Sequence, residues 1–308
     1  MQRLKWPGLA AVLGILGAVL RRWQLGTAFD ETAGFLIPGA AATVAVVACL
    51  VLANALGLLL ACTARDRTGD GERMSRWDLV FAGEGCTAYM TLMVVAAFCT
   101  LAAGPVLFLD AMDQMAEFKA YGGGDNGILL AVVALGALAA GWAHLSTARD
   151  AYRMNGKGRE NALLLLPPAM NCVWVLEAYR SNAADPVLWN YVPLVLAAVY
   201  GLIFYMDCAA LAFEKGHPRR TLFLGMMTVV FSLVALAARP DKGVVALLMG
   251  QTAAALAALW VAPANLTHPP EADRFGLRSR RGETDEDETD EPEESLPAQE
   301  IQEEDHHV

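Results

Sequence analysis

The sequence predicts an all-α fold, a polytopic transmembrane helical bundle of about eight spans with both termini cytoplasmic and a disordered acidic C-terminal tail. Three observations lead there. Hydrophobic residues make up 56% of the chain, against roughly 45–50% apolar in soluble domains, and they gather in long runs nearly free of charge, as membrane-crossing helices do. Lys and Arg concentrate in alternate connections between those runs. The acidity is confined to the end of the chain.

The apolar runs lie at about Leu4–Leu20, Gly39–Cys62, Cys86–Leu109, Gly127–Thr147, Ala162–Glu177, Val187–Phe213, Thr221–Ala238 and Gly243–Val261. A helix rises 1.5 Å per residue, so ~20 residues cross ~30 Å of hydrocarbon. Most runs meet that length. The first and fifth are short and need flanking residues to reach the interface. Trp6 and Trp23 bracket the first, and Arg21 and Arg22 are expected to snorkel to the headgroups. Arg3 and Lys5 give this run the basic start of a signal peptide. However, Arg21-Arg22-Trp23 follows at once with no small-x-small cleavage site, so a retained anchor helix is predicted.

Orientation comes from the loops. Of the 23 Lys and Arg residues, 17 fall at the N-terminus, in Thr63–Asp78, Ala148–Asn161 and Lys215–Arg220, and in the tail, and six fall on the other side. The positive-inside rule then places both ends in the cytoplasm, which requires an even number of spans. On the exterior, Asp110, Asp113 and Glu117 recur at helical spacing before Gly122-Gly123-Gly124. They read as the solvated face of a helix leading into a turn, or as a cation-collecting surface. Weak echoes between Arg22, Trp23 and Pro38 and Arg180, Pro186 and Trp189 raise the idea of two four-helix halves.

Residues 1–261 form the predicted membrane domain and 262–308 the tail. The tail holds 15 acidic and four basic residues, so the net charge of −10 belongs to it, and the remainder is close to neutral. With few large apolar residues it cannot bury enough surface to fold alone. Its basic start, Arg274 to Arg281, suits anionic lipid headgroups. Asn265-Leu266-Thr267 matches a glycosylation sequon that would be silent on the cytoplasmic side. No overall basic balance points to nucleic acid. The expected partners are the lipid bilayer and either a membrane protein or a small solute.

No metal site or cofactor is predicted. The six cysteines lie in or at the ends of apolar runs, without a CxxC, and read as packing residues. HExxH, GxSxG and Walker patterns are absent. Gly122-Gly123-Gly124-Asp125 fits the GxGD string of intramembrane aspartyl proteases, but it falls on the opposite side from Asp207, the one deep aspartate.

Ionisable groups within the bilayer cost ~2.5–3.5 kcal/mol each on insertion scales, so each raises a functional question. Glu84, His144 and Asp207 lie at similar depth near the cytoplasmic ends of the third, fourth and sixth runs. Converging, they would make a polar cluster able to relay protons or hold a cation. The alternative has Glu84 and His144 reaching the headgroups and Asp207 paired with a loop arginine. Asn190, Pro193, Ala197, Tyr200, Phe204 and Asp207 form one stripe at spacings of three and four, turned toward other helices or a wet cavity. Pro167 and Pro168, with Asn171 after them, either break the fifth helix, as at transporter sites, or simply begin it. Asn171, Asn190, Tyr200, Pro167 and Pro168 are therefore the expected cavity lining. Asn54 and Gln251 are expected to bridge helices. These features favour a small-solute or ion carrier. An accessory subunit of a membrane complex, or an intramembrane enzyme using Asp207, His144 and Glu84, are the alternatives.

Overall fold

The computed structural model describes residues 5–30, 35–65, 76–122, 127–153, 162–213 and 215–268, all within one compact unit, Met1–Pro270. The predicted acidic tail beyond His268, Gly123 and Gly124, and residues 66–75 and 154–161 of the two most basic loops lie outside the described residues. The helices are α1 (Lys5–Thr27), α2 (Ala41–Thr63), α3 (Arg76–Val80), α4 (Thr87–Tyr121), α5 (Ile128–Arg153), α6 (Leu166–Asn182), α7 (Leu188–Ala212), α8 (Pro218–Leu236) and α9 (Lys242–Thr267). A 3-10 turn, Ala162–Leu165, leads into α6. Among the described residues no strand occurs, only a single bridge between Phe29 and Leu36.

All but α3 are long and apolar enough to cross a membrane, the 3-10 turn completing the α6 span. The protein is a multi-pass membrane protein. With eight crossings, α1 starts and α9 ends on the same side, called here the terminal side; the other is the far side.

Six helices close a ring in which each packs on the next, α4 through α9, with α9 returning to α4. The α1–α2 pair lies against the outside of this ring, mainly on α8. The packing thus divides as two plus six, not into two four-helix halves. Burial follows from it: 72% of the α8 span is buried but only 28% of α2. Val44, Val51, Leu58 and Leu59 on α2 are exposed, the surface that lipid covers. Small residues allow close crossings, among them Gly14 of α1 against Leu233 and Gly141 of α5 against Leu101. Gln251 of α9 donates to Ala197 O of α7 and Ser232 Oγ of α8. Asn54 of α2 accepts from Tyr200 Oη of α7. Both bridge helices, and Asn54 also donates to Leu50 O of its own helix, so these polar groups are paired away from hydrocarbon.

Three boundaries differ from the hydropathy reading. α4 runs for 35 residues, about 52 Å at 1.5 Å per residue. The acidic outer segment is therefore its own last turns, exposed and ended by Gly122 in the left-handed conformation (φ 68°). Pro167 and Pro168 stand in the first turn of α6, where a missing N–H costs no hydrogen bond. Here they begin a helix and do not break one. α9 continues through Pro263 to Thr267, past the end of the apolar run at Val261, because Asn265 is buried against the connection between α3 and α4.

Candidate functional site

A cavity of about 60 Å³ lies inside the ring near its terminal mouth. Every helix that lines it does so with its terminal-side part: Tyr89 and Met93 early in α4, His144 and Thr147 late in α5, Pro167 at the start of α6, Phe204, Tyr205 and Cys208 late in α7, and Ala254 and Ala258 in α9. The short helix α3 supplies Trp77 and the turn after it Phe81, whose rings tilt together at 5.9 Å. Asn265 Nδ2 fastens this cap by donating to Val80 O (3.0 Å) and Ala82 O (2.9 Å). The Gly83 amide donates to Ala151 O of α5. The lining is aromatic and small aliphatic, with one imidazole.

That imidazole belongs to His144, 4% exposed. Its ring lies 5.3 Å from that of Tyr205, and its Nε2 has no hydrogen-bond partner. Thr147 beside it uses its hydroxyl on its own helix, donating to Ala143 O at 2.8 Å.

The three residues of the expected polar cluster stand in separate settings. Asp207 is fully buried, accepts from Arg220 Nε at 2.9 Å and from Thr221 Oγ1 at 2.7 Å, and forms an ion pair with Arg220. Both partners lie in the first turn of α8, so the carboxylate ties the end of α7 to the start of the next helix. Glu84 is exposed in the turn before α4. His144 alone faces the cavity. Among the described residues no group of three or more His, Cys, Asp or Glu side chains is arranged to hold a metal ion.

The expected lining residues also disperse. Pro167 reaches the cavity. Pro168 is buried beside it in the first turn of α6. Asn171 is buried in α6 with Nδ2 donating to Pro167 O at 3.0 Å and Oδ1 unpartnered. Tyr200 stacks on Phe231 at 4.8 Å in mid-membrane. Asn190 is exposed at the far end of α7, donating to Asp185 Oδ2 at 2.8 Å. The stripe on α7 is real as a helical face, but its members serve different neighbours along 25 residues.

The expectation that Arg21 snorkels is corrected. Its side chain is fully buried, with Nη1 donating to Gln24 Oε1 and Nη2 to Trp189 O, each at 2.6 Å. Gln24 in turn donates to Thr43 Oγ1 of α2. Toward the far side, this chain links α1, α2 and α7. A hydropathy profile reads any arginine near a span end as interfacial, and only the packing of three helices around it shows otherwise.

Comparison with protein-family models, curated proteins and solved structures finds no match.

Proposed function

We propose that the chain is a non-enzymatic carrier for a small solute, in the cell membrane, and that the solute enters from the terminal side, which the Lys and Arg distribution assigns to the cytoplasm. The one-sidedness of the cavity carries this reading. The space lies in the terminal half of the ring. In the far half, α4 is in close contact with both neighbours: a Cβ on Gly243 of α9 would fall 2.5 Å from Leu107, and one on Gly104 would fall 2.6 Å from Leu138 of α5. A carrier with one gate open and the other shut has this form.

Coupling to an ion gradient draws no support from the geometry, since Asp207 is already held by Arg220 and Thr221 and α6 is unbroken. The carrier therefore moves its solute downhill. The same pairing of Asp207 within the bundle favours a second reading, an accessory subunit of a membrane complex whose cavity opens to one side only.

Cys208 lines the cavity and separates the two. In a background with the other five cysteines replaced, a small charged methanethiosulfonate reagent is applied to sealed vesicles of either orientation. Labelling from both sides, slower from the far side, is the result expected of a carrier. Labelling from the terminal side alone favours the subunit. No labelling from either side removes the cavity from consideration.

A further inference from the structure

Trp189 is the second residue of α7, and in an unbroken helix its carbonyl would accept from the N–H of residue 193. That residue is Pro193, which has no N–H to give. The donor comes from another helix: Arg21 Nη2 of α1 meets Trp189 O at 2.6 Å. Pro105 and Pro263 also stand inside helices, but among the described residues no side chain of another helix answers Leu101 O or Leu259 O, the carbonyls they leave. The turn before Pro193 is also tied within itself. Asp185 accepts from the Val187 amide and from Asn190 Nδ2, both at 2.8 Å. Residues 185–192 therefore hold together, with a hydrogen bond missing at their base and one side chain of α1 reaching across. Among the described residues α1 packs mainly on α8 and α2 and has little other contact with α7. The Arg21 guanidinium is fully buried, and its described partners are the neutral oxygens of Gln24 and Trp189. A cation in the bilayer is costly to keep. What it supplies here is a fork that reaches an acceptor on its own helix and one on α7 at once.

We infer that Arg21 is the clasp of a hinge in α7 at Pro193, and that this hinge is the part that opens the far side. The inference rests on the reading of the protein as a carrier, whose shut far side has to open, and names what opens it. With the clasp closed, the first turn of α7 is held on α1. With the clasp released, no helical hydrogen bond at Pro193 has to break, and residues 185–192 swing as one piece. The freed carbonyl is not stranded, because Trp189 is only half-buried and Asn190 beside it is exposed, so water or headgroups replace the guanidinium. The cavity keeps its wall through the motion, since Phe204, Tyr205 and Cys208 lie about three turns farther along α7. Pro105 of α4 also interrupts a helix in the far half, but the turns beyond it are pinned, Leu107 close against Gly243 and Ala111 O close against Gly127. The α1–α2 pair, outside the ring, thereby gains a task. Gln24 donates to Thr43 Oγ1 at 3.0 Å, which fixes the clasp to both helices of the pair.

The test uses the full-length chain in sealed vesicles, with Cys208 as its one cysteine and the charged methanethiosulfonate reagent applied to either side. Arg21→Gln removes the guanidinium fork. Pro193→Ala gives Trp189 O an N–H from its own helix and leaves Arg21 in place. The expected result is far-side labelling roughly tenfold faster in Arg21→Gln, the scale of one hydrogen bond, and several-fold slower than wild type in Pro193→Ala. In the double variant Arg21→Gln should add little, because the carbonyl no longer depends on the clasp. Labelling from the terminal side should be the same throughout, which separates a far-side hinge from general loosening. If Arg21→Gln fails to accumulate in the membrane, Pro193→Ala decides alone, since it adds a hydrogen bond and must slow far-side labelling. Wild-type labelling from both sides, at a far-side rate unmoved by Pro193→Ala, overturns the hinge and leaves the carrier standing. Faster labelling of Arg21→Gln from both sides alike, or an equal gain with and without Pro193→Ala, also overturns the hinge. Labelling from the terminal side alone in the wild type and every variant removes the hinge and the carrier together.

Discussion

The side-chain amide of Gln251 lies against the bare backbone of Gly201, in the space that a Cβ at that position would need. The glycine is what allows α9 to send an amide into α7, where Nε2 meets Ala197 O at 2.9 Å and Ser232 Oγ at 3.1 Å. Gly201→Ala should displace the amide and leave buried polar groups unpaired, at about 1–3 kcal/mol. The measure is thermal unfolding in detergent. Gly201→Ala combined with Gln251→Ala should be less destabilised than the sum of the single changes, because the clash and the stranded amide disappear together. Strict additivity would mean that the two residues do not interact.

Asp207 is expected to behave as a structural residue. Asp207→Asn should lower membrane abundance, because Arg220 loses its ionic partner. The loss should stay below the ~3–5 kcal/mol typical of breaking a fully buried pair, since Arg220 is 55% exposed and turns back to water. Arg220→Met should cost more, as it strands a carboxylate that is fully buried. Quantitative blotting of membranes for the single and double variants decides the matter. Normal abundance of Arg220→Met would show that the pair contributes nothing.

The α3 cap depends on one side chain. Asn265→Ala removes both donors to Val80 O and Ala82 O and should loosen residues 77–82 selectively. Hydrogen exchange followed by mass spectrometry should show faster exchange there, with the middle of α8 unchanged. Equal exchange in wild type and variant would mean that packing alone holds the cap.

Asp185 gives a pH dependence of known sign. The side chain of Asn190 and the Val187 amide both donate to its carboxylate and hold it below the ordinary aspartate range. A group lowered on folding adds stability above its unfolded pKa and loses it as pH falls through the folded value. Asn190→Ala removes the larger cause. The carboxyl titration of Asp185, followed by NMR, should move upward, and the acid-side loss of stability that this group causes should become smaller. An unmoved titration would leave this hydrogen bond without effect on the carboxylate.

Topology is tested by reporter fusions. Arg73, Gly156, His217 and Pro270 should report the cytoplasm, and Asp30, Gly123 and Asp185 the exterior. Two successive loops reporting the same side would overturn the eight-span reading.

Much of the fold was legible because hydropathy acts over whole segments: a run of twenty apolar residues has one low-energy place, and the span positions followed from it. The pairing of Asp207 with a loop arginine was also within reach, since a buried carboxylate near a span end requires a nearby cation. The cavity was not legible. Its wall gathers a few residues from each of several elements, and Trp77 and Phe81 come from a five-residue helix and the turn that follows it, too short to stand out by periodicity. The only local trace was an aromatic pair four residues apart between two stretches of turn-forming residues. Arg21 escaped for a related reason, since interfacial and buried arginines look alike in one dimension.

The closure of the ring by α9 onto α4 bears on how the protein is made. α4 enters the membrane before α5 through α9 are made, and the neighbour that covers one of its flanks, α9, follows all the other described helices. Until then Thr100, Ala103 and Leu107, buried in the finished bundle, face lipid or an insertion partner. A chain halted before Lys242 would carry seven inserted helices and a cavity without the wall that Ala254 and Ala258 supply. The cell's quality control therefore has a plain mark of an incomplete molecule, Thr100 and Leu107 left open to the bilayer where Gly250 and Gly243 of α9 would cover them.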